Sequence, residues 1–145
     1  MLSDLYDVTT HNSDEFDLIA KIIRNAEQVN NYRSGEQSTV FWPTNESLVR
    51  TLGASRVEAL QQTANQGQAK QFLQSLTVKG SYNLEALRSA ARNGQGLQTV
   101  SGRSVTLTLN GDKLLANGVE VINSEHPASN GWVLATNGVI ATDDL

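Results

Sequence analysis

The 145-residue chain carries 15 acidic and 11 basic residues, a net charge of −4, and no cysteine. Arginine and lysine are scattered singly rather than gathered in a stripe, which argues against nucleic-acid binding, and the missing cysteines exclude disulfides, thiolate metal sites and a cysteine nucleophile. No apolar run approaches the roughly 20 residues a membrane span requires, and Met1-Leu2-Ser3-Asp4 has neither a basic nor an apolar leader character, so residues 1–145 read as one domain with no membrane span and no signal sequence.

In chain order, Phe16, Ile19, Ala20, Ile23 and Ala26 recur at helical spacing, which predicts a helix from Phe16 to Val29 capped by Ser13 or Asp14. The polar stretch Asn30 to Gly35 is turn-rich and expected at the surface. Thr39-Val40-Phe41 favours a strand, Pro43 ends it, and Thr44 is a good N-cap for a short helix that Gly53 stops. Ser55 and Glu58 have capping-box spacing for a helix carrying Val57 and Leu60. Gly67 is expected to separate it from a helix holding Phe72, Leu73 and Leu76. Asn83 caps a further helix that turns Leu84 and Leu87 inward and ends near Gly94.

The period then changes. Ser104 to Leu109 alternates strictly, placing Val105, Leu107 and Leu109 on one face of a strand. Asn110-Gly111-Asp112-Lys113 turns the chain into a return strand from Leu114 to Ala116, and Asn117-Gly118 bends it into Val119 to Ile122. Ser124 to Gly131, containing Pro127, reads as a polar loop. Trp132 to Ala135 and Val139 to Thr142 are predicted to be the arms of a last hairpin, with Asn137-Gly138 as its two-residue turn. Helices first and antiparallel strands afterwards argue for an α+β fold.

Two blocks, Thr39 to Asn45 and Asn137 to Ile140, carry a family resemblance. The first has the form Thr-x-Phe-x-Pro-Thr-Asn, with Trp42 where a small residue is more common, and the second is an Asn-Gly-Val-Ile segment near the C-terminus. With the intervening order of helices, Gly80-Ser81-Tyr82 and a hairpin ending in Asn117-Gly118, the chain resembles the fasciclin-like (FAS1) domain family from about Leu5 to Asp144. The resemblance implies a wedge-shaped β-sandwich with a layer of α-helices, and a noncatalytic module for cell adhesion or extracellular protein recognition. It implies a cell-surface or matrix protein as partner, and an extracellular, cell-surface or periplasmic location. It also makes Thr39, Phe41, Pro43, Thr44, Asn45, Asn137, Gly138, Val139 and Ile140 structural signature positions. The family's Tyr-His pair falls at Ser75-Leu76, its Asp-Ile pair at Trp132-Val133, and the histidine after the second signature at Ala141. These departures argue against animal-type integrin recognition.

Trp132, Trp42, Asn45 and Glu46 are the candidate contact residues. An indole can fill a pocket on a protein partner or stack on a sugar face, and Trp132 is favoured because it follows a polar segment. The second reading is therefore a carbohydrate- or small-ligand-binding module that uses Trp42, Trp132 and nearby asparagines. A third, a hydrolase at Ser124-Glu125-His126, asks adjacent loop residues to converge as a triad, which they seldom do. His11 and His126 are the only histidines and neither has a second ligand at helix spacing, so no metal and no cofactor is expected. Asp143-Asp144 lacks the flanking oxygen ligands of a calcium loop.

Overall fold

A computed structural model describes residues 4–11, 13–33, 37–102 and 104–140. Three helices lead: α1 (Leu5–His11), α2 (Ser13–Asn25) and α3 (Val29–Arg33). Strand β1 (Ser38–Pro43) follows, then α4 (Asn45–Leu52), α5 (Ala54–Ala59), α6 (Gln66–Gln74), β2 (Thr77–Lys79) and α7 (Leu84–Arg92). The chain finishes with β3 (Gly96–Gln98), β4 (Ser104–Asn110), β5 (Lys113–Ala116), β6 (Val119–Ala128) and β7 (Gly131–Thr136).

The seven strands make one sheet in the order β2-β1-β7-β6-β5-β4-β3. Its two edges return to each other where Val78 bridges Thr99 and the Val100 amide donates to the Thr77 carbonyl at 2.8 Å. The sheet is thus nearly a barrel, with helices laid against it, and the α+β class holds. β1 and β7 run parallel side by side, pairing Thr39 with Trp132, Phe41 with Leu134, Trp42 with Ala135 and Pro43 with Thr136. The strand of the first signature block therefore lies in the middle of the sheet, against the strand that leads directly into the second block at Asn137. Both faces of this pair are covered, since Val40, Phe41, Trp42, Val133, Leu134 and Ala135 are all fully buried. A strand buried on both sides needs no polar alternation, which is why Val40-Phe41-Trp42 is continuously apolar.

Local chemistry sets most boundaries. Thr44 (φ −66°, ψ 161°) accepts from the Ser47 amide and starts α4, and Gly53 at φ 88° ends it. The Asn83 side chain accepts from the Ala86 amide at 2.8 Å and starts α7. Asn117 and Gly118, at φ 51° and 82°, supply the two positive dihedrals of a tight hairpin between Ala116 and Val119.

Other expectations are corrected. α5 starts directly from Gly53 with no side-chain cap, so Ser55 lies inside the helix and forms no capping box with Glu58. A short 3-10 turn at Thr63–Asn65 precedes α6, and Gly67 sits in the first turn of α6 instead of ahead of it. α2 ends at Asn25 rather than Val29, followed by Glu27 at φ 57°; the side chains of Ser13 and Asp14 lie outside the described residues. Part of the turn-rich stretch after it is helical, because α3 buries Tyr32. The polar loop at 124–131 is largely strand: β6 runs to Ala128 with an irregularity between Val121 and Glu125, and pairs His126 with Val133 and Pro127 with Trp132.

The last hairpin is also overturned. β7 already has β1 on one side and β6 on the other, so no edge is left for a returning arm. Asn137-Gly138 instead leads the chain out of the sheet, with the Asn137 amide donating to the Glu120 carbonyl at 2.9 Å and the Thr136 hydroxyl donating to the Gly138 carbonyl at 2.7 Å. Val139 and Ile140 are buried without being paired as a strand. Ala141, Thr142, Asp143 and Asp144 lie outside the described residues.

Candidate functional site

The signature residues mostly brace the scaffold. Thr39 is fully buried; its hydroxyl donates to the Gly80 carbonyl at 2.9 Å and accepts from the Tyr82 amide at 2.8 Å. The Asn45 side chain accepts from the Leu18 amide at 2.9 Å, joining the start of α4 to α2. Pro43 is buried at the end of β1.

Trp42 is the clearest correction among the candidate contact residues. Its side chain is fully buried, its indole Nε1 donates to Thr9 Oγ1 at 2.9 Å, and its ring meets Tyr32 edge-on at 5.5 Å. The alternation along β1 aims it at the helical layer, so it is a core residue and offers nothing to a sugar or a partner. Glu46 is open to solvent and lies 3.7 Å from Arg50 one helical turn on. Arg50 Nη2 reaches across to Asn137 Oδ1 at 2.6 Å and to its carbonyl at 3.2 Å. A small polar patch therefore links α4 to the end of β7. Arg50 went unnoticed in the sequence, although the Glu46–Arg50 spacing is a readable surface pair.

Trp132 is half-buried on β7, directly across from the exposed Pro127 of β6, with Thr39 opposite it on β1. The hairpin that carries it is tied down by Asn130, another residue missed in the sequence. Asn130 Oδ1 accepts from the Leu5 amide at 2.9 Å, its Nδ2 donates to the Tyr32 carbonyl at 3.0 Å, and its own carbonyl accepts from the Ser38 amide at 2.9 Å. One residue thus fastens α1 and α3 through its side chain, and β1 through its main chain, to the β6–β7 turn. Its signal was the Asn-Gly dipeptide just before a strand, hidden by reading the segment as a loop.

The His126 ring packs edge-on against Phe16 of α2 at 6.1 Å. Among the described residues no three His, Asp or Glu side chains gather closely enough to hold a metal ion, and no helix is long and apolar enough to cross a membrane.

Among the described residues, Tyr32 provides the one strong electrostatic signature. Its hydroxyl is 3.0 Å from Thr77 Oγ1, and the Thr77 hydroxyl itself donates to the Leu73 carbonyl at 2.8 Å, so Tyr32 supplies the proton between them. Burial pushes this phenol up from 10.0 to about 12. The unfolded chain releases the proton near the ordinary value while the folded chain holds it. Stability is therefore fully present below the ordinary value and is lost as pH climbs through this window, by up to ~1.4 kcal/mol per pH unit from this group. Tyr32→Phe should flatten the decline in urea-unfolding stability over that window; an unchanged slope would show that Tyr32 is not its source.

The sequence matches the Fasciclin domain family over residues 14–142. The fold is similar to that of a FAS1 domain pair from the insect cell adhesion molecule fasciclin I, with a TM-score of 0.52 and 16% identity over 94% of this chain. The chain spans 43% of that structure. No curated protein sequence matches it. A nearly closed sheet with a helical layer against it agrees with that match, and the chain belongs to the fasciclin domain family.

Proposed function

We propose that the protein is a noncatalytic recognition module that binds a cell-surface or matrix protein outside the cell, with Trp132 as its principal contact. The observation that carries this reading is the half-buried Trp132, set beside the exposed Pro127 on a hairpin that Asn130 fastens to the rest of the fold. An aromatic side chain held on a rigid strand pair loses little freedom on binding, which suits a contact residue. The extracellular location is supported by the family, whose domains occur in extracellular and cell-surface proteins, and by the adhesion molecule to which the fold is similar. Binding, in place of catalysis, is supported by the packing of His126 against a core phenylalanine. The carbohydrate reading loses one of its two indoles, because Trp42 is buried.

A single small surface binds weakly, so the test uses tetramers, where avidity raises the signal. Tetramerised protein and its Trp132→Ala variant are applied to an array of secreted and surface proteins and to a glycan array. The expected result is binding on the protein array that falls by roughly tenfold or more in the variant, with folding unchanged by circular dichroism. Equal binding by the two forms, or Trp132-dependent binding on the glycan array alone, rejects the reading.

A further inference from the structure

The closure of the sheet is incomplete. Among the described residues, the edges of β2 and β3 are bridged only at Val78 and Thr99. Beside that bridge lies an open trench of about 500 Å³, with Lys79 and Tyr82 on the β2 side, Leu97 and Gln98 on the β3 side, and Val100 lining it just beyond the bridge. The floor is wettable apolar surface: Val100 is 39% exposed, one of two large apolar side chains so open among the described residues.

The Lys79 ammonium forms no ion pair, and the Tyr82 hydroxyl and Gln98 amide form no side-chain hydrogen bond, with any described residue. Among the described residues, Lys79 is the only charged side chain lining the trench, in a chain whose net charge is −4. The Tyr82 wall is preformed. Its amide is held by Thr39, and its ring lies so close over Gly80 that a Cβ there would sit 2.9 Å from it. On the other wall, β3 is a three-residue edge strand, paired with β4 alone over Gly96 and Leu97. Exposed strand edges of this kind accept an added strand, with main-chain bonds giving affinity and alternate side chains giving selectivity.

We propose that the trench receives an extended peptide of a partner protein, which adds to the β3 edge, lays apolar side chains over Leu97 and Val100, and sets a carboxylate against Lys79. This surface is separate from the Trp132 reading, and either can fail alone because the variants and readouts differ.

The test uses two fluorescein-labelled, amidated hexapeptides, VTVDVT and VTVKVT, titrated into the full chain by anisotropy, with amide chemical shifts followed by NMR. The acidic peptide should saturate and move the amides of residues 79–82 and 96–98, and the basic one should bind roughly tenfold more weakly. Lys79→Glu, which alters only an exposed side chain, should reverse that order. Equal affinity for the two peptides, or shifts confined to other residues, overturns the proposal. So do shifts at the trench from an oligogalacturonate but from neither peptide, which assign the site to an acidic sugar, and concentration-dependent shifts without peptide, which assign it to a second copy of the chain.

Discussion

The Gly131→Ala variant is expected to lose roughly 4 kcal/mol of stability or to fail to fold. Gly131 sits at φ 149°, and a Cβ built there would lie 1.6 Å from the Ser38 carbonyl oxygen and 2.7 Å from its carbon. The obstacle is backbone, so no side-chain rotation relieves it. Gly131 pairs with Ser38 at the first rung of the β1–β7 pair, and the neighbouring Asn130 carbonyl holds the Ser38 amide. Making room for one methyl group therefore means parting the two central strands. Gly94→Ala is the control: it also has positive φ, at 68°, but nothing stands within 4 Å of its Cβ position, so its cost should stay near 1 kcal/mol, from backbone strain alone. Thermal unfolding should separate the two by roughly 10 °C. A Gly131→Ala protein within about 1 kcal/mol of the parent would show that β1 and β7 do not approach as described.

Trp42→Ala should cost about 3–5 kcal/mol, the range for emptying a large aromatic site in a core. The variant loses the indole's packing, its edge contact with Tyr32 and its bond to Thr9. Trp42→Phe should cost less, because Thr9 keeps its own donation to the Leu5 carbonyl at 2.7 Å and only an accepted bond is lost. Urea unfolding measures both. In the Trp132→Ala protein, the remaining Trp42 emission should be blue-shifted and resist acrylamide quenching. Quenching as strong as that of free tryptophan would place Trp42 at the surface and reopen it as a contact residue.

Much of the architecture was legible because it rests on short-range devices. Thr44, Asn83 and the Asn117-Gly118 pair act within three residues of themselves, so their roles follow from their immediate neighbours. Sheet order is different in kind. β2 and β3 are three residues each and too short to show a period, and α1 was hidden by Asp7, Thr9 and Thr10 among its apolar positions. Asn137-Gly138 misled for an instructive reason. The dipeptide permits a hairpin, but the sheet leaves no free edge beside β7, and tertiary pairing overrides the local preference. For the candidate site, the likeness that marked β1 as a signature also made Trp42 conspicuous, while strand alternation turned it inward. Asn130 and Lys79 matter through partners or neighbours far off in the chain, which no local pattern displays.

The parallel pairing of β1 with β7 has a consequence for how the chain matures. Residues 38–43 find one of their two neighbours only in residues 131–136, nearly the last described segment of the chain. Contacts so distant in sequence must close a long loop before they return any free energy, which slows folding. During synthesis the emerging polypeptide holds an apolar strand open along one side until β7 arrives. Until then β1 is paired with β2 alone, and its second edge is open to any competing strand, so the unfinished chain is most exposed to mispairing just before its last strand is added.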